Sequence, residues 1–240
     1  MKPICVVAFG AHPDDVELSA AGTLLVMKAQ GHKVGIVDLT RGELGTRGTP
    51  AIRQAESEAS TKILGIDFRL NLGLPDGGIL NVPEQRLAVI GAIRATRPDI
   101  ILCNALYDRH PDHGNAAELV EEAAFLAGLK NIATAGADGH PQESWRPRLV
   151  LHYIQDRYIN PTVVIDVTSV FETKLRAIKA FKSQFFDPNS QEPATYISSP
   201  EFLEGISTRS REMGRMIGVT YGEGFVAART LGVKSLGDLI

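Results

Sequence analysis

The feature that most constrains this chain is an alternation of short apolar runs with longer segments of helical period. Residues 4–9 (Ile-Cys-Val-Val-Ala-Phe) form a continuous apolar run, as expected of a strand covered on both faces. Residues 16–30 then carry Val16, Ala20, Thr23, Leu24 and Met27 at helical spacing, with Gly31 as a stop. A second strand is expected over 34–39 and a helix from Pro50, with Ile52, Ala55, Ala59 and Ile63 on its apolar side and Gly65 at its end. A weaker strand over 68–72, a helix over 83–96 and a clear strand over 100–103 follow. A helix over 115–126, strands over 149–154 and 163–167, and helices near 169–182 and 200–217 complete the series. Strands and helices in strict alternation imply a Rossmann-like α/β fold, a mostly parallel sheet flanked by helices and built from right-handed crossovers.

A chain of 240 residues with 44% hydrophobic and 22% charged residues supports one such core without staples. No solenoid repeat or low-complexity linker divides it, so one domain over 1–240 is expected, its C-terminal quarter packed on the sheet as an appendage. Two irregular segments, 130–147 and 184–199, exceed ordinary connector length and suggest a functional loop or lid. The formal charge of -3 leaves no basic footprint for nucleic acid or an anionic membrane. No apolar run has transmembrane length, and the N-terminal run ends in Asp14-Asp15 with no cleavage pattern. Cys5 and Cys103 lie in apolar runs without CxxC spacing, as buried thiols do in a reducing compartment. A cytoplasmic protein is expected.

His-Pro-Asp occurs at 12–14 and again at 110–112. Roughly 0.02 such tripeptides are expected by chance in a chain of this composition, so the repetition carries information. Each copy follows a predicted buried strand, the first and the fourth, and precedes a helix. In the common doubly wound order 3-2-1-4-5 these strands are neighbours, and ligands bind in the crevice at their carboxyl ends, where the winding reverses. That crevice would gather His12, Asp14, Asp15, His110, Asp112 and His113. Such a set suits a borderline cation such as zinc, and three protein ligands leave one position open for water, whose pKa zinc lowers to about 7. Carboxylate and imidazole beyond the ligands can then move protons and stabilise an oxyanion. The bland reading of each copy is a polar helix entry capped by Asp. A dinucleotide site is disfavoured: Gly10-Ala11-His12 lacks GxGxxG, and no GxxxxGK[ST] is present.

The segments AHPDDVELSAAGTL at 11–24 and RHPDHGNAAELV at 109–120 resemble the LmbE-like, or PIG-L-like, N-acetylglucosaminide deacetylases. TRGELGTRGTPAIRQAESEAS at 40–60, LGLPDG at 72–77 and FKSQF at 181–185 look most like the bacillithiol-biosynthesis members, which deacetylate N-acetylglucosaminyl malate. The resemblance spans essentially the whole chain. It implies a metal held by His12, Asp15 and His113, with Asp14 as general base. It also implies His110 as the imidazole that stabilises charge or delivers a proton, with Asp112 orienting it. Zinc is the metal implied, and ferrous iron accepts the same ligands. For the substrate it implies Arg53 and Arg109 as grips for the sugar or malate, Asp76 at the sugar hydroxyls and Tyr196 near the developing oxyanion. It further implies a homo-oligomer, with a hexamer as one form. Another N-acetylglucosamine conjugate, of chitooligosaccharide or glucosaminyl inositol type, remains an alternative substrate, as does a metal- or sugar-binding module without turnover. His32, His140 and His152 read as ordinary structural histidines, and nothing marks Cys103, near the end of strand 4, as a nucleophile.

Overall fold

The computed structural model describes residues 3–239. β1 (Cys5–Gly10), β2 (Lys33–Thr40), β3 (Phe68–Leu74), β4 (Ile100–Cys103), β5 (Leu149–Tyr153), β6 (Val163–Asp166) and β7 (Gly222–Ala227) form one sheet in the order β3-β2-β1-β4-β5-β7-β6. The first four pairings in that order are parallel, and β7 alone runs against its two neighbours, β5 and β6. The doubly wound order expected for the first five strands is present. β1 and β4 lie side by side, with Val6 opposite Ile100 and Ala8 opposite Leu102.

The helices are α1 (Asp15–Ser19), α2 (Ala21–Ala29), α3 (Pro50–Leu64), α4 (Pro83–Thr96), α5 (Pro111–Leu126), α6 (Phe171–Ile178) and α7 (Pro200–Met216). β1 is buried along its whole length, and its alternating side chains feed two cores. Cys5, Val7 and Phe9 join Val89, Ile90 and Ile93 of α4 and Leu119, Val120 and Ala123 of α5 on one face. Val6 and Ala8 join Val16, Leu24, Tyr153, Ala177 and Phe225 on the other. At about 1.5–3 kcal/mol for each fully buried large apolar side chain, these two layers hold the strand ends in register.

Three elements differ from the sequence reading. The expected helix over 16–30 is two, broken at Ala20, where φ is -137°. The helix expected from 115 begins at Pro111, because His110 caps it. β7 was not expected at all: the C-terminal quarter supplies both α7 and this strand, which enters the sheet between β5 and β6. Its Glu223 is buried on the Lys174 ammonium at 2.7 Å and accepts from the backbone N–H groups of Gly22 and Thr23, satisfying the start of α2. Among the described residues no helix is long and apolar enough to cross a membrane.

Candidate active site

Both His-Pro-Asp copies open helices at the carboxyl ends of β1 and β4, and neither is a plain Asp cap. Asp14 occupies the cap position of α1 with φ 119° and ψ -22°, yet its side chain makes no capping bond. The left-handed backbone turns its carboxylate inward, where Oδ2 accepts from Arg53 Nη2 at 3.1 Å. The same guanidinium group donates to the Pro13 carbonyl and, through Nη1, to Gln184 Oε1 at 3.0 Å. Arg53 rides on α3, which Thr49 caps from its side chain and Pro50 begins. At the second copy the cap is His110, whose Nδ1 accepts from the Asp112 N–H at 3.2 Å.

The centre of the cluster is Asp15, 3% exposed. Its Oδ1 lies 3.1 Å from His113 Nε2, and its Oδ2 lies 3.6 Å from His12 Nδ1. Asn104 Nδ2 and Gln155 Nε2 donate to the two oxygens at 3.1 and 3.0 Å, and the His12 N–H adds a third bond at 2.9 Å. Each histidine is backed by carboxylate on its other ring nitrogen. His113 Nδ1 stands 2.5 Å from Asp108 Oδ2, and His12 Nε2 stands 3.0 Å from Asp76 Oδ1 and 3.3 Å from Asp112 Oδ2. Carboxylate behind an imidazole fixes the ring and raises its basicity as a ligand. His110 completes the group, its ring centroid 4.6 Å from that of His12 and 5.2 Å from that of His113.

Charge follows from these contacts. Burial drives the Asp14 carboxyl up, to about 7, against the Arg53 guanidinium and with the repulsion of Asp15. Burial also opposes ionisation of Asp15, but His113 and His12 outweigh it and hold that carboxyl well below the usual range. For His113, burial is overcome by Asp15 and Asp108, which lift the imidazole to about 9. His12 rises well above its ordinary value, since Asp112, Asp15 and Asp76 outweigh its burial. His110 moves the other way, lowered first by burial and then by its two neighbouring imidazoles.

The donor set fits a cation. Ligand atoms about 2.0–2.1 Å from a tetrahedral zinc stand roughly 3.3 Å apart, and the two Asp15–histidine distances bracket that spacing. Donor atoms of His12, His110 and His113 also lie within 4.8 Å of one another, as do those of His12, Asp76 and Asp112. Asp15 stands in neither of these groups; its two oxygens face His12 Nδ1 and His113 Nε2 one each, and both of these imidazoles have a carboxylate on the other ring nitrogen.

Several expected contacts fall elsewhere. The Asp112 carboxylate turns to His12 and to the Gly77 N–H at 2.8 Å, so only its backbone N–H orients His110. Asp76 spends one oxygen on His12 and the other on the Leu44 N–H at 2.7 Å, pinning the loop that follows β2. Arg53 is paired with Asp14 and also lines the cleft. Arg109 and Tyr196 do reach the mouth of the site, the guanidinium 4.5 Å over the ring and both paired with Asp156. Of the two long segments only 184–199 borders the cleft, through Gln184, Thr195, Tyr196 and Ile197. Asp108, Asn104 and Gln155 were missed by sequence reasoning; only Asp108, five residues before His113, carries a local signal. Cys103, fully buried, lies 3.3 Å from His152 Nδ1, and burial pushes its thiol up.

A cleft of about 350 Å³ opens on this cluster. Fold and site together define the class: an α/β enzyme with a His/Asp cluster, able to hold a cation, at the switch point of a doubly wound sheet. The family model for PIG-L, the GlcNAc-PI de-N-acetylases, matches residues 7–124. The diacetylchitobiose deacetylase of Thermococcus kodakarensis is 30% identical over 225 residues, 84% of this chain and 81% of that relative. A probable N-acetyl-alpha-D-glucosaminyl L-malate deacetylase 2 of Bacillus anthracis is 30% identical over 191 residues, 72% of this chain and 78% of that one. The crystal structure of the conserved protein TT1542 from Thermus thermophilus superposes with a TM-score of 0.85 at 36% identity, covering 96% of this chain and 98% of the other. The chain belongs to the PIG-L/LmbE-like deacetylase family and is an N-deacetylase, a hydrolase.

Proposed function

We propose that this chain removes acetate from an N-acetylglucosamine conjugate, using a divalent cation held by His12, Asp15 and His113. The observation that carries the reading is the convergence of two carboxylate-backed imidazoles on one buried carboxylate, in a chain of a de-N-acetylase family. Zinc is the cation we assign, and it would act there as a Lewis acid that makes water nucleophilic near neutral pH. Asp14 accepts a proton from the attacking water, and Arg53 keeps its carboxylate fixed and available. The water oxygen bonds to the acetyl carbon as the C–N bond breaks, and the departing nitrogen takes a proton. Asp14 hands it the proton taken from the water, while the Nε2–H of the neutral His110 ring, whose Nδ1 accepts from the Asp112 N–H, donates a hydrogen bond to the developing oxyanion. Acetate and a free amine result.

N-acetylglucosaminyl malate is the substrate we favour, on the guanidinium groups that line the cleft. A chitooligosaccharide is the second reading, supported by the similarity to the diacetylchitobiose deacetylase over 84% of the chain. Acetate release from N-acetylglucosaminyl malate and from N,N′-diacetylchitobiose by the zinc-loaded protein, with a chelator control, separates the two. Asp14→Asn is expected to lower kcat by about 10²- to 10⁴-fold. Full activity in that variant would remove Asp14 from the reaction, and no acetate from either compound would sink the reading.

A further inference from the structure

Four arginines line the cleft, and three of them have carboxylate partners. Arg53 is paired with Asp14 at 3.1 Å. Arg109 and Arg209 share Asp156, at 3.5 and 3.9 Å. Arg47 differs. The residue is 5% exposed, and among the described residues no carboxylate pairs with it. One bond from Nη2 to Ser190 Oγ at 2.7 Å is the only hydrogen bond its guanidinium makes there, and its buried Nε has no partner. A buried guanidinium without a counter-charge is costly in a folded chain unless something outside the chain completes it.

We infer that Arg47 is the anion-recognising residue of the cleft and binds a carboxylate carried by the substrate's aglycone. The inference deepens the proposed function and rests on it for the reaction. A guanidinium fork matches a carboxylate with two parallel N–H···O bonds, and burial leaves that pairing unscreened. The loop that presents it is fixed in advance: the Leu44 N–H is held by Asp76, the Gly48 N–H by Glu192 at 2.9 Å, and the Arg47 carbonyl by Gln184 Nε2 at 2.9 Å. Gly48 has φ 71°, and a side chain there would meet Ser183 at 2.7 Å, so the turn is built around this packing. Arg47 therefore selects anionic over neutral aglycones at no cost in loop ordering.

The test compares wild type, Arg47→Gln and Arg47→Lys in two assays. In the first, the ratio of kcat/KM for N-acetylglucosaminyl malate to that for N,N′-diacetylchitobiose is expected to fall by about 10- to 100-fold in Arg47→Gln, the worth of a hydrogen-bonded charge pair, and to recover partly in Arg47→Lys. In the second, calorimetry without turnover, free L-malate binds wild type and loses at least tenfold in affinity in Arg47→Gln. Inorganic phosphate, titrated in parallel, binds more weakly than malate. Equal losses on both substrates, malate binding that ignores the substitution, or tighter binding of phosphate would each overturn the assignment. Active wild type with an unchanged ratio in Arg47→Gln defeats this inference and leaves the catalytic reading intact. Malate binding that needs Arg47 in a protein inert on both substrates does the reverse.

Discussion

Asp108 gives the sharpest test of how the site is held. Its side chain is 1% exposed, so its contacts are not screened by solvent. One oxygen faces His113 Nδ1 at 2.5 Å, and the other accepts from the Arg157 N–H at 2.8 Å. Both partners need an acceptor, and a carboxylate supplies two. Asn in its place supplies one oxygen and one NH₂. If the oxygen stays with Arg157, the NH₂ points at His113 Nδ1 and drives the ring proton to Nε2, the atom that faces Asp15. A cation cannot bind a protonated nitrogen. If the amide flips, two N–H groups collide at Arg157 instead. In either arrangement the imidazole loses its negative backing, which typically costs 10- to 100-fold in metal affinity, about 1.4–2.7 kcal/mol. Competition for zinc against a chromophoric chelator measures this directly, with a melting curve of the cation-free protein as the control on folding. An Asp108→Asn protein that binds zinc within about threefold of wild type, with unchanged melting, would refute the argument.

Other consequences are as definite. Arg53→Ala leaves the buried Asp14 carboxylate unpaired and is expected to cost about 3–5 kcal/mol in urea unfolding; a loss below 1 kcal/mol would mean Arg53 does not anchor residue 14. Zinc affinity should fall as pH drops below about 9, because His113, lifted to about 9, and His12, also raised well above its ordinary value, must each give up a proton to ligate; affinity that is flat between pH 6 and 8 would contradict those protonation states. Gly35→Ala drives a methyl into the Phe68 ring between β2 and β3 and should destabilise by about 1–3 kcal/mol; calorimetry showing unchanged melting would mean the ring is free to move.

The parallel strands were legible because each is short, apolar and followed by a helix of clear period. The two His-Pro-Asp copies were legible as a pair because the doubly wound order brings strands 1 and 4 together. β7 was not, for a physical reason. Gly222-Glu223-Gly224 looks like a turn, and the carboxylate in it is tolerable only because Lys174, 49 residues earlier, and the start of α2, 201 residues earlier, receive it. Asn104 and Gln155 were hidden in the same way, since an amide gives no sign of the carboxylate it will meet. The pairing of Arg53 with Asp14 was not legible either. Its position after the second strand points to the substrate, and nothing in that position shows that it also holds Pro13 and Asp14.

Residue 14 sits in a backbone conformation that glycine takes up with ease and an L-amino acid with a side chain does not. Such a kink endures only while its surroundings forbid relaxation, and here the restraint comes from a guanidinium 39 residues further along the chain. The reactive loop is thus shaped as the protein folds, before any sugar arrives, and α3 becomes its remote brace. Substitutions that merely tilt α3, far from the chemistry, will present themselves in kinetics as if they had struck the centre.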